Sequence, residues 1–388
     1  MTASCVAHTR LDHSGDAGAF LGNEIASSLG TVPPDAVIVF ASPKYNYAEL
    51  LQGLQAACSP KILLGCSSAG EFASGNHGER SASAVALRSS DMHFSVGIGR
   101  GLRTNCAAAA KEVVSSFRGP RTRDYQYRSA LVLTDALAGY TEDLIGQLIL
   151  ETDGGYQFFG GGAGDDGHFR QTHVFYGCEA VSDAVVALQI LSNKPLGIGL
   201  GHGWQPVGSP LRVTEAEGMR LISLNAVPAV EVFQEHAEAT GQAFDMTNPL
   251  PFFLHNVVGI DSGMGYKLRV PLAVHEDGSI SCAAEIPTGA TVHIMGTTNA
   301  SATQAASDAT QDALERLNGE RPGVALFFDC AATRLRMGKE FGDELSAVQS
   351  ALGKAQYAGC NTYGQVGREE SQFSGFHNCT AVICIIPE

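Results

Sequence analysis

Apolar and small residues follow one another along this chain in an order that occurs three times. Each copy opens with a short apolar run typical of a buried strand, at residues 36–40, 130–134 and 324–328. A helical pattern follows each run, and a second apolar run then breaks into small residues, reading GCSSAG at 65–70, GGGAG at 160–164 and GCNTYG at 359–364. A strand, a helix and a strand within about 35 residues predict a βαβ-like unit, and its reuse predicts three similar substructures.

The spacing within the copies predicts how they superpose. The distance along the chain from Ala36 to Gly70 equals that from Ala130 to Gly164, whereas the third copy, which closes at Gly364, has a longer loop before its helix. We therefore expect the three closing glycines to coincide in the folded protein. Small residues at strand ends let the backbone approach a ligand closely, and loops there build pockets, so we expect function at these breaks.

Further elements flank each copy. Ala-rich helical segments precede the first strands at 17–29, 106–117 and 301–317, and strand-like runs precede the second and third of these segments at 94–98 and 291–295. A third apolar run closes each copy, at 84–87, 184–190 and 381–386. Asn46, with Glu49 three residues later, is predicted to cap the helix of the first copy, and Gly353 to end that of the third.

The middle of the chain has a different character. Residues 205–300 contain short alternating strands and turns, typical of a hairpin or meander, and an amphipathic helix at about 227–240. The break at 241–251 indicates the main domain junction. The predicted fold is therefore α/β, with two domains at residues 35–240 and 241–388, repeated β-α-β units and a β-rich middle segment.

Composition limits the classes of function. The 388 residues are 44% hydrophobic and 17% charged, which is typical of a globular protein. A net charge of −15 without a long basic run argues against a nucleic-acid or anionic-membrane surface. We find neither a signal-peptide pattern nor about 18 consecutive apolar residues, so we expect a cytoplasmic location. The ten cysteines form no CxxC pair, and most are expected to be reduced and buried.

Six motifs, taken in order, resemble those of the FIST proteins, named for F-box and intracellular signal transduction. They are GCSSAGEF (65–72), GGGAGDD (160–166), GHGWQPVG (201–208), FFDCAATR (327–334), YAGCNTYGQ (357–365) and FHNCT (376–380). FIST proteins carry an N-terminal FIST domain followed by a C-terminal FIST domain, and the resemblance extends over residues 35–388. Gln365 departs from the pattern, since a Glu is common there, and Met219 stands where an Asn often follows the Gly. Asp329 and Ala332-Thr333 alter the usual Ser-Cys-x-Gly-Arg segment. These differences change the polarity offered to a ligand.

The resemblance implies a sensor rather than an enzyme. FIST domains bind small ligands and pass the signal to kinases, cyclases or methyl-accepting proteins. A stand-alone chain of two FIST domains is similar to the haem-binding, nitric-oxide-sensing subset, which implies haem as the cofactor, nitric oxide as the ligand and a histidine kinase as the partner. Such a chain is also compatible with a homo-oligomer. The alternative that the resemblance implies is a FIST module that binds a small organic ligand such as an amino acid.

A haem held by histidine requires an imidazole on an apolar wall. His236 lies on the predicted helix at 227–240 close to Phe233, which is expected to pack on the porphyrin, so His236 is the predicted axial ligand of the haem iron. His255, preceded by apolar residues, and His202, in a glycine-rich loop, are the next candidates. An ordinary exposed or hydrogen-bonded histidine is the plainer interpretation of each.

The family motifs supply the expected ligand pocket, which is predicted to draw on both domains. Its predicted residues are Cys66, Ser67, Gly161, Trp204, Cys330, Arg334, Tyr363, Gln365, His377 and Asn378. If strand ends bring Cys66, Cys330 and Cys360 together, an iron–sulfur cluster or a thiol redox sensor becomes an alternative. Cys330 with His377 and Asn378 also matches a cysteine-dependent enzyme. The plainer interpretation is that small residues are needed at strand ends and cysteine is small.

Overall fold

The computed structural model describes residues 1–30, 32–117, 124–263, 265–368 and 375–388. Its first part is a unit of four strands, two helices and a hairpin, which we call unit 1. Unit 1 comprises β1 (Thr2–Thr9), α1 (Ser14–Leu29), β2 (Ala36–Ala41), α2 (Tyr47–Cys58), β3 (Ile62–Ser67), the hairpin β4 (Glu71–Ala73) and β5 (Asn76–Gly78), and β6 (Ala82–Ser89). The predicted cap of α2 is confirmed, because Asn46 Oδ1 accepts the N–H of Glu49 at 3.3 Å.

Unit 2 repeats this order. It comprises β7 (Met92–Arg100), α3 (Cys106–Ser115), β8 (Tyr127–Thr134), α4 (Thr141–Glu151), β9 (Gln157–Gly162), the hairpin β10 (Val174–Tyr176) and β11 (Glu179–Val181), and β12 (Ala184–Ser192). A Cβ at Gly99 in β7 would lie 2.1 Å from the carbonyl oxygen of Ala109 in α3. Glycine in the strand and alanine in the helix therefore let these two elements pack at close range.

Unit 3 begins before the middle of the chain and ends after it. Its first strand is β13 (Gly197–Gly201), after which the chain enters a separate region, residues 205–296, that we call the middle sheet. The middle sheet comprises β14 (Gln205–Pro206), β15 (Leu211–Glu217), β16 (Arg220–Leu224), β17 (Val227–Pro228), α5 (Ala229–Thr240), α6 (Leu250–Phe253), β18 (Val257–Asp261), β19 (Tyr266–Arg269), β20 (Pro271–Val274), β21 (Ile280–Cys282) and β22 (Thr291–Gly296).

The rest of the chain completes unit 3. It comprises α7 (Asn299–Glu315), β23 (Pro322–Cys330), α8 (Ala331–Met337), α9 (Phe341–Leu352), β24 (Gln356–Thr362), the hairpin β25 (Gln365–Gly367) and β26 (Phe376–His377), and β27 (Ala381–Pro387). Gly353 follows α9 with φ 65°, and its N–H bonds the carbonyl oxygen of Gln349, so it ends this helix as predicted.

The lead-in strand predicted for the third copy is wrong. Residues 291–295 fall in β22, which pairs with β15 and β18 of the middle sheet. The lead-in strand of unit 3 is β13, far earlier in the chain, and it pairs with β27. A Cβ at Gly199 in β13 would lie 1.9 Å from the carbonyl oxygen of Ala309, so α7 packs directly on this glycine-rich strand.

Each unit builds one sheet and contributes its hairpin to the sheet of another unit. The strand orders are β1-β6-β2-β3-β10-β11, β7-β12-β8-β9-β25-β26 and β13-β27-β23-β24-β4-β5. In every sheet the third and fourth of these strands are parallel, and the last two come from a different unit. The exchange runs from unit 1 to unit 3, from unit 3 to unit 2 and from unit 2 to unit 1. The three related units therefore form a closed ring.

The three sheets face a shared apolar core. Ile38, Leu131 and Leu326 take equivalent places on β2, β8 and β23 and belong to one buried cluster. The rings of Phe40 and Phe328 meet edge to face there, with centroids 5.6 Å apart. Helices cover the outer faces, where each unit has a further core of its own. Burial on both faces explains the continuous apolar runs that predicted these strands.

Strand register aligns the three breaks at their first glycines. The parallel pairs are Gly65 with Val39, Gly160 with Val132 and Gly359 with Phe327. Gly70 and Gly364 also correspond, because each directly precedes an exchanged hairpin. Gly164 does not, which corrects the expected superposition. Unit 2 has a longer loop, residues 163–173, ahead of its hairpin.

Two further features concern the organisation of the chain. The predicted domain boundary between residues 240 and 241 falls at the end of α5, where Gly241 is left-handed with φ 68°; the boundary itself stays a prediction. Within the described ranges, no helix combines the length and the apolar character needed to cross a membrane.

Candidate functional site

A cavity of about 610 Å³ lies where unit 2, unit 3 and the middle sheet meet. It is lined by the connection between β8 and α4 with the first turn of α4 (136–143), by segments of the middle sheet, and by strand and helix ends of unit 3. Its volume lies within the range of about 300–1,000 Å³ that small-ligand sites occupy. Its size and its position between segments distant in sequence make it the candidate site.

Four apolar side chains of the cavity lining are about half exposed. Tyr140, Phe169, Met219 and Leu335 are 53%, 45%, 48% and 52% exposed, respectively. Clustered exposed side chains of this size mark surfaces that bind a ligand or a partner. The four come from the connection before α4, the loop 163–173, the turn after β15 and helix α8. The fold therefore brings together side chains that are far apart in the sequence.

Polar side chains of unit 3 line the same cavity, among them Cys330 and Asn378. The sulfur of Cys330 accepts hydrogen bonds from the thiol and the N–H of Cys379. It also accepts the N–H of Ala332 and the side-chain amide of Gln365. The Cys379 thiol is the largest of the influences that lower the pKa of Cys330 to about 6, against the opposing effect of burial. The cavity therefore contains a sulfur atom with thiolate character at neutral pH.

An ion-pair group joins unit 2 to the middle sheet beside the cavity. Glu142, at the start of α4, pairs with Lys267 and Arg269 of β19. The Arg269 side chain is 1% exposed and also donates to the carbonyl oxygens of Leu268 and Glu285. Burial lowers the pKa of Arg269, and Glu142 is the largest opposing influence. Glu142 therefore compensates a positive charge that water scarcely reaches.

Replacing Glu142 by alanine is expected to lower the free energy of unfolding by about 2 kcal/mol, because it removes the carboxylate from a buried guanidinium. The loss is smaller than for a fully buried pair, since Glu142 is 31% exposed and water screens it. Urea denaturation at pH 7 measures it. Asp143→Ala, which removes an exposed carboxylate from the same helical turn, is the control. Equal losses in the two variants would contradict the role of Glu142.

The predicted strand-end breaks meet at the centre of the ring. Three backbone hydrogen bonds close a cycle among them: Ala69 N–H to the Asn361 oxygen at 3.0 Å, Gly164 N–H to the Ser67 oxygen at 2.9 Å, and Tyr363 N–H to the Gly162 oxygen at 2.9 Å. This cycle has the same sense as the exchange of hairpins. Behind it, Cys66 and Cys360 hydrogen-bond each other in the shared core, and burial raises the pKa of Cys360.

The predicted pocket residues lie in separate places. Cys330, Tyr363 and Asn378 line the cavity, whereas Cys66, Ser67 and Gly161 lie at the central ring. Arg334 donates to the Ala69 carbonyl oxygen at 2.6 Å. Trp204 packs in a buried cluster with Cys330 and Cys379. Gln365 connects the ring to the cavity, because its amide bonds both Thr362 and Cys330. The predicted pocket thus contributes three of its residues to the observed cavity lining.

The predicted histidines have partners of their own. His236 Nε2 lies 2.9 Å from Asn256 Oδ1. His202 Nε2 lies 3.0 Å from the Tyr266 carbonyl oxygen, and His377 Nε2 lies 2.8 Å from the Gly367 carbonyl oxygen. Burial lowers the pKa of His202 and His255, and that of His377 to about 4. Phe233 is fully buried in the core of the middle sheet, against Phe253. None of these residues lines the cavity.

The cavity does not fit a haem held by histidine. Its lining, as far as the structure describes it, offers the sulfur of Cys330 as a donor but no imidazole. Nor do the described ranges contain a group of three or more His, Cys, Asp or Glu side chains arranged to hold a metal ion. Cys66 pairs with Cys360, whereas Cys330 pairs with Cys379. Haem binding through His236 stays a prediction.

Sequence reasoning missed most of the cavity lining and the second thiol. Cys379 stands in the FHNCT motif next to Asn378, so a second cysteine close to a strand end was a usable signal. Met219 stands at a departure from the family pattern after Gly218, whereas Tyr140 and Leu335 belong to no recognisable motif. Their role emerges from their exposure in the fold, which the local sequence does not encode.

Comparison with known proteins gives the family and distant structural likenesses. The FIST N domain model matches residues 35–227, and the FIST C domain model matches residues 229–368. No curated protein matches the sequence. A cyanuric acid hydrolase from A. caulinodans is similar over 100% of both chains, at 8% identity and a TM-score of 0.34. T. maritima PurL complexed with AMPPCP is similar over 99% of this chain and 72% of that chain, at 11% identity and a TM-score of 0.24.

Proposed function

This chain belongs to the FIST family, and on that premise we propose that it is a sensor whose small ligand binds in the cavity between unit 2, unit 3 and the middle sheet. FIST domains are small-ligand-sensing modules of signal transduction. The observation that carries the proposal is that residues from both matched domains line one cavity with a half-exposed apolar rim. A ligand there contacts both domains, so its binding energy can favour one arrangement of the two.

The lining favours a neutral or cationic ligand with an apolar body. Apolar side chains line much of the cavity, among them Leu137, Leu250, Leu254, Val270 and Leu272. The charged side chains among the described lining residues are acidic, namely Glu142, Asp143 and Glu285. Burial raises the pKa of Glu285, Asp143 and Glu142 raise it further, and Arg269 and Lys267 oppose the shift. A carboxylate or phosphate would meet the same repulsion, so we favour an amine or an uncharged molecule.

Binding of the neutral fluorophore N-phenyl-1-naphthylamine tests this cavity. We expect its fluorescence to rise with added protein and Leu335→Asp to weaken binding about tenfold. The variant removes an apolar contact worth roughly 1.5 kcal/mol or more, and tenfold in affinity is about 1.4 kcal/mol. The anionic 1-anilinonaphthalene-8-sulfonate is expected to bind more weakly, because the charged lining is acidic.

Leu150→Asp is the matched control for this experiment. Leu150 is a leucine of α4 that is 68% exposed and does not line the cavity. The same charge placed there should leave probe binding as in the wild type. Equal losses in the two variants, or a wild-type protein that does not bind the neutral probe, would overturn the proposal.

The narrower form of the proposal is haem-based nitric oxide sensing that regulates a partner histidine kinase in the cytoplasm, without catalysis by the chain itself. The family resemblance supports it. An absorbance spectrum of the purified protein tests it first. A Soret band that His236→Ala removes, with the circular dichroism unchanged, supports the predicted ligand. A Soret band that depends on Cys330 instead places haem in the cavity, and a featureless spectrum favours an organic ligand.

A further inference from the structure

One turn recurs in all three units, at the end of β2, β8 and β23. Register places Ser42, Asp135 and Cys330 at the same point of this turn. Each side chain accepts the N–H of the residue two positions later: Lys44 at 3.2 Å, Leu137 at 3.1 Å, and Ala332. The turn therefore requires an acceptor, and a hydroxyl, a carboxylate and a thiol each supply one.

The residue opposite this turn is also common to the units. These residues are Arg80, two positions before β6, Asp183, one position before β12, and Cys379, two positions before β27. Each lies one residue before the partner of the turn position, and their φ angles are left-handed at 57°, 53° and 48°, respectively. Asp183 donates its N–H to Asp135, as Cys379 does to Cys330. Shared backbone geometry thus explains the N–H contacts of Cys330. It does not explain two thiols in contact, one of them lining a cavity.

We propose that Cys330 and Cys379 form a redox-active thiol pair, which a small hydroperoxide entering the cavity converts into a disulfide. Both cysteines are free and pack in one buried cluster, and Cys379 is the largest of the influences that lower the pKa of Cys330. Cys330 lines the cavity although only 4% of it is exposed, so a small molecule in the cavity lies against this residue. The other two units carry Ser42 with Arg80 and Asp135 with Asp183 at these places, so the pair is specific to unit 3.

The chemistry proceeds in two balanced steps. The Cys330 thiolate attacks the terminal oxygen of the hydroperoxide and the O–O bond breaks, so that Cys330 becomes a sulfenic acid. The alkoxide or hydroxide that leaves takes up the proton that Cys330 had released to water, and it departs as an alcohol or as water. The sulfur of Cys379 then attacks that of Cys330; the S–O bond breaks, the S–S bond forms, and the thiol proton leaves with the hydroxide as water. The hydroperoxide is reduced by two electrons, and the two thiols are oxidised.

The chain contains internal controls for this reactivity. Cys66 and Cys360 are also hydrogen-bonded thiols, but both are fully buried and neither lines the cavity. Cys106 and Cys178 are the more exposed cysteines, and burial raises the pKa of both, that of Cys106 to about 11. Cys66 and Cys360 therefore represent a thiol pair that does not line the cavity. Cys106 and Cys178 represent more exposed thiols without thiolate character.

Peptide mapping of the full chain without reduction tests the proposal. The reduced protein is treated at pH 7 with one equivalent of hydrogen peroxide, and remaining thiols are alkylated before digestion. We expect the Cys330–Cys379 disulfide as the first product, and alkylation of Cys330 in the untreated protein about tenfold faster than that of Cys106. First oxidation of Cys106, Cys178 or the Cys66–Cys360 pair, with Cys330 and Cys379 still reduced, would overturn it.

Two serine variants separate the roles of the thiols. In Cys379→Ser the oxidation should stop at a Cys330 sulfenic acid that dimedone traps. In Cys330→Ser, which places at this turn the residue found in unit 1, Cys379 should no longer be oxidised first. Oxidation of Cys379 at the wild-type rate in that variant would contradict the order of attack. If a variant fails to fold, the wild-type peptide map still decides between the outcomes.

The thiol-pair proposal stands apart from the sensor proposal. It requires that small molecules enter the cavity, but not that any of them is the signalling ligand. Probe binding with no disulfide would contradict only the thiol-pair proposal. A disulfide without probe binding would contradict only the proposed sensor site.

Discussion

Gly359→Ala is expected to lower the free energy of unfolding by at least ~3 kcal/mol, the range reached when a substitution creates a severe clash in a core. A Cβ at this position would lie 1.7 Å from the carbonyl oxygen of Phe327 and 2.7 Å from Cε2 of Phe72. The first contact is with backbone, which cannot withdraw without breaking the parallel ladder between β23 and β24. Urea denaturation followed by circular dichroism measures the loss.

Gly146→Ala is the matched control. Gly146 lies within α4, and a Cβ there would meet nothing within 4 Å. Alanine in a helix is favoured over glycine by roughly 0.5–1 kcal/mol, so this variant should be slightly more stable than the wild type. A Gly359→Ala protein within about 0.5 kcal/mol of the wild type would contradict the close strand approach.

The same constraint holds in the other two units. A Cβ at Gly65 would lie 1.9 Å from the Val39 oxygen, and one at Gly160 would lie 2.1 Å from the Val132 oxygen. The glycine that opens each break thus serves strand packing. The sequence predicted that small residues at the breaks admit a ligand. At these three positions, the structure instead requires glycine for the packing of the strands. The cavity lies beyond the breaks, and the third break contributes Thr362, Tyr363 and Gly364 to its lining.

The strands that sequence predicted well are those with continuous apolar runs. β2, β8 and β23 are buried on both faces, so their composition alone reveals them. β1 is buried at alternate positions over part of its length and mixes polar with small residues, so it carries no such run. β13 reads GIGLG, because α7 packs against its glycines, and glycine is depleted in most strands. Alternating burial therefore left β1 without a recognisable pattern, whereas packing against the distant helix α7 gave β13 an atypical composition.

The site was predictable to the extent that it lies on strand ends of unit 3. Cys330 ends β23, Tyr363 directly follows β24 and Asn378 directly follows β26, and all three stand in the family motifs. The opposite wall comes from residues 136–143 of unit 2 and from the middle sheet. No local pattern specifies that these segments face unit 3, because the exchange of hairpins and the closure of the ring place them there. The prediction of histidine ligands did not identify the cavity, for the same reason.

Glu71 of unit 1 occupies the place that Gln365 occupies in unit 3, since each is the first residue of an exchanged hairpin. The Glu71 carboxylate is fully buried and accepts hydrogen bonds from the Ser68 hydroxyl and from the hydroxyl and N–H of Ser81. Burial raises the pKa of Glu71 to about 7, with Asp166 adding to the shift and the serine hydrogen bonds opposing it.

The stability of the protein should therefore fall as the pH rises from about 4.5, the ordinary value for Glu, to about 7. In that window the unfolded chain releases the Glu71 proton while the folded protein retains it, which favours unfolding. The contribution is fully present below pH 4.5 and is lost by pH 7, and it amounts to about 3 kcal/mol. Glu71→Gln stays neutral throughout, so it should exceed the wild type by about this amount at pH 8 but not at pH 4.

Urea denaturation of the wild type and Glu71→Gln at pH 4 and pH 8 measures this difference. Comparing the two proteins at each pH isolates Glu71, because every other titrating group is common to both. Glu24→Gln, which removes an exposed carboxylate from α1 of the same unit, controls for the loss of one charge. An amide is accommodated at the equivalent place in unit 3, where Gln365 is fully buried, so the variant should fold. A stability difference that does not change with pH would show that burial has not displaced the titration of Glu71.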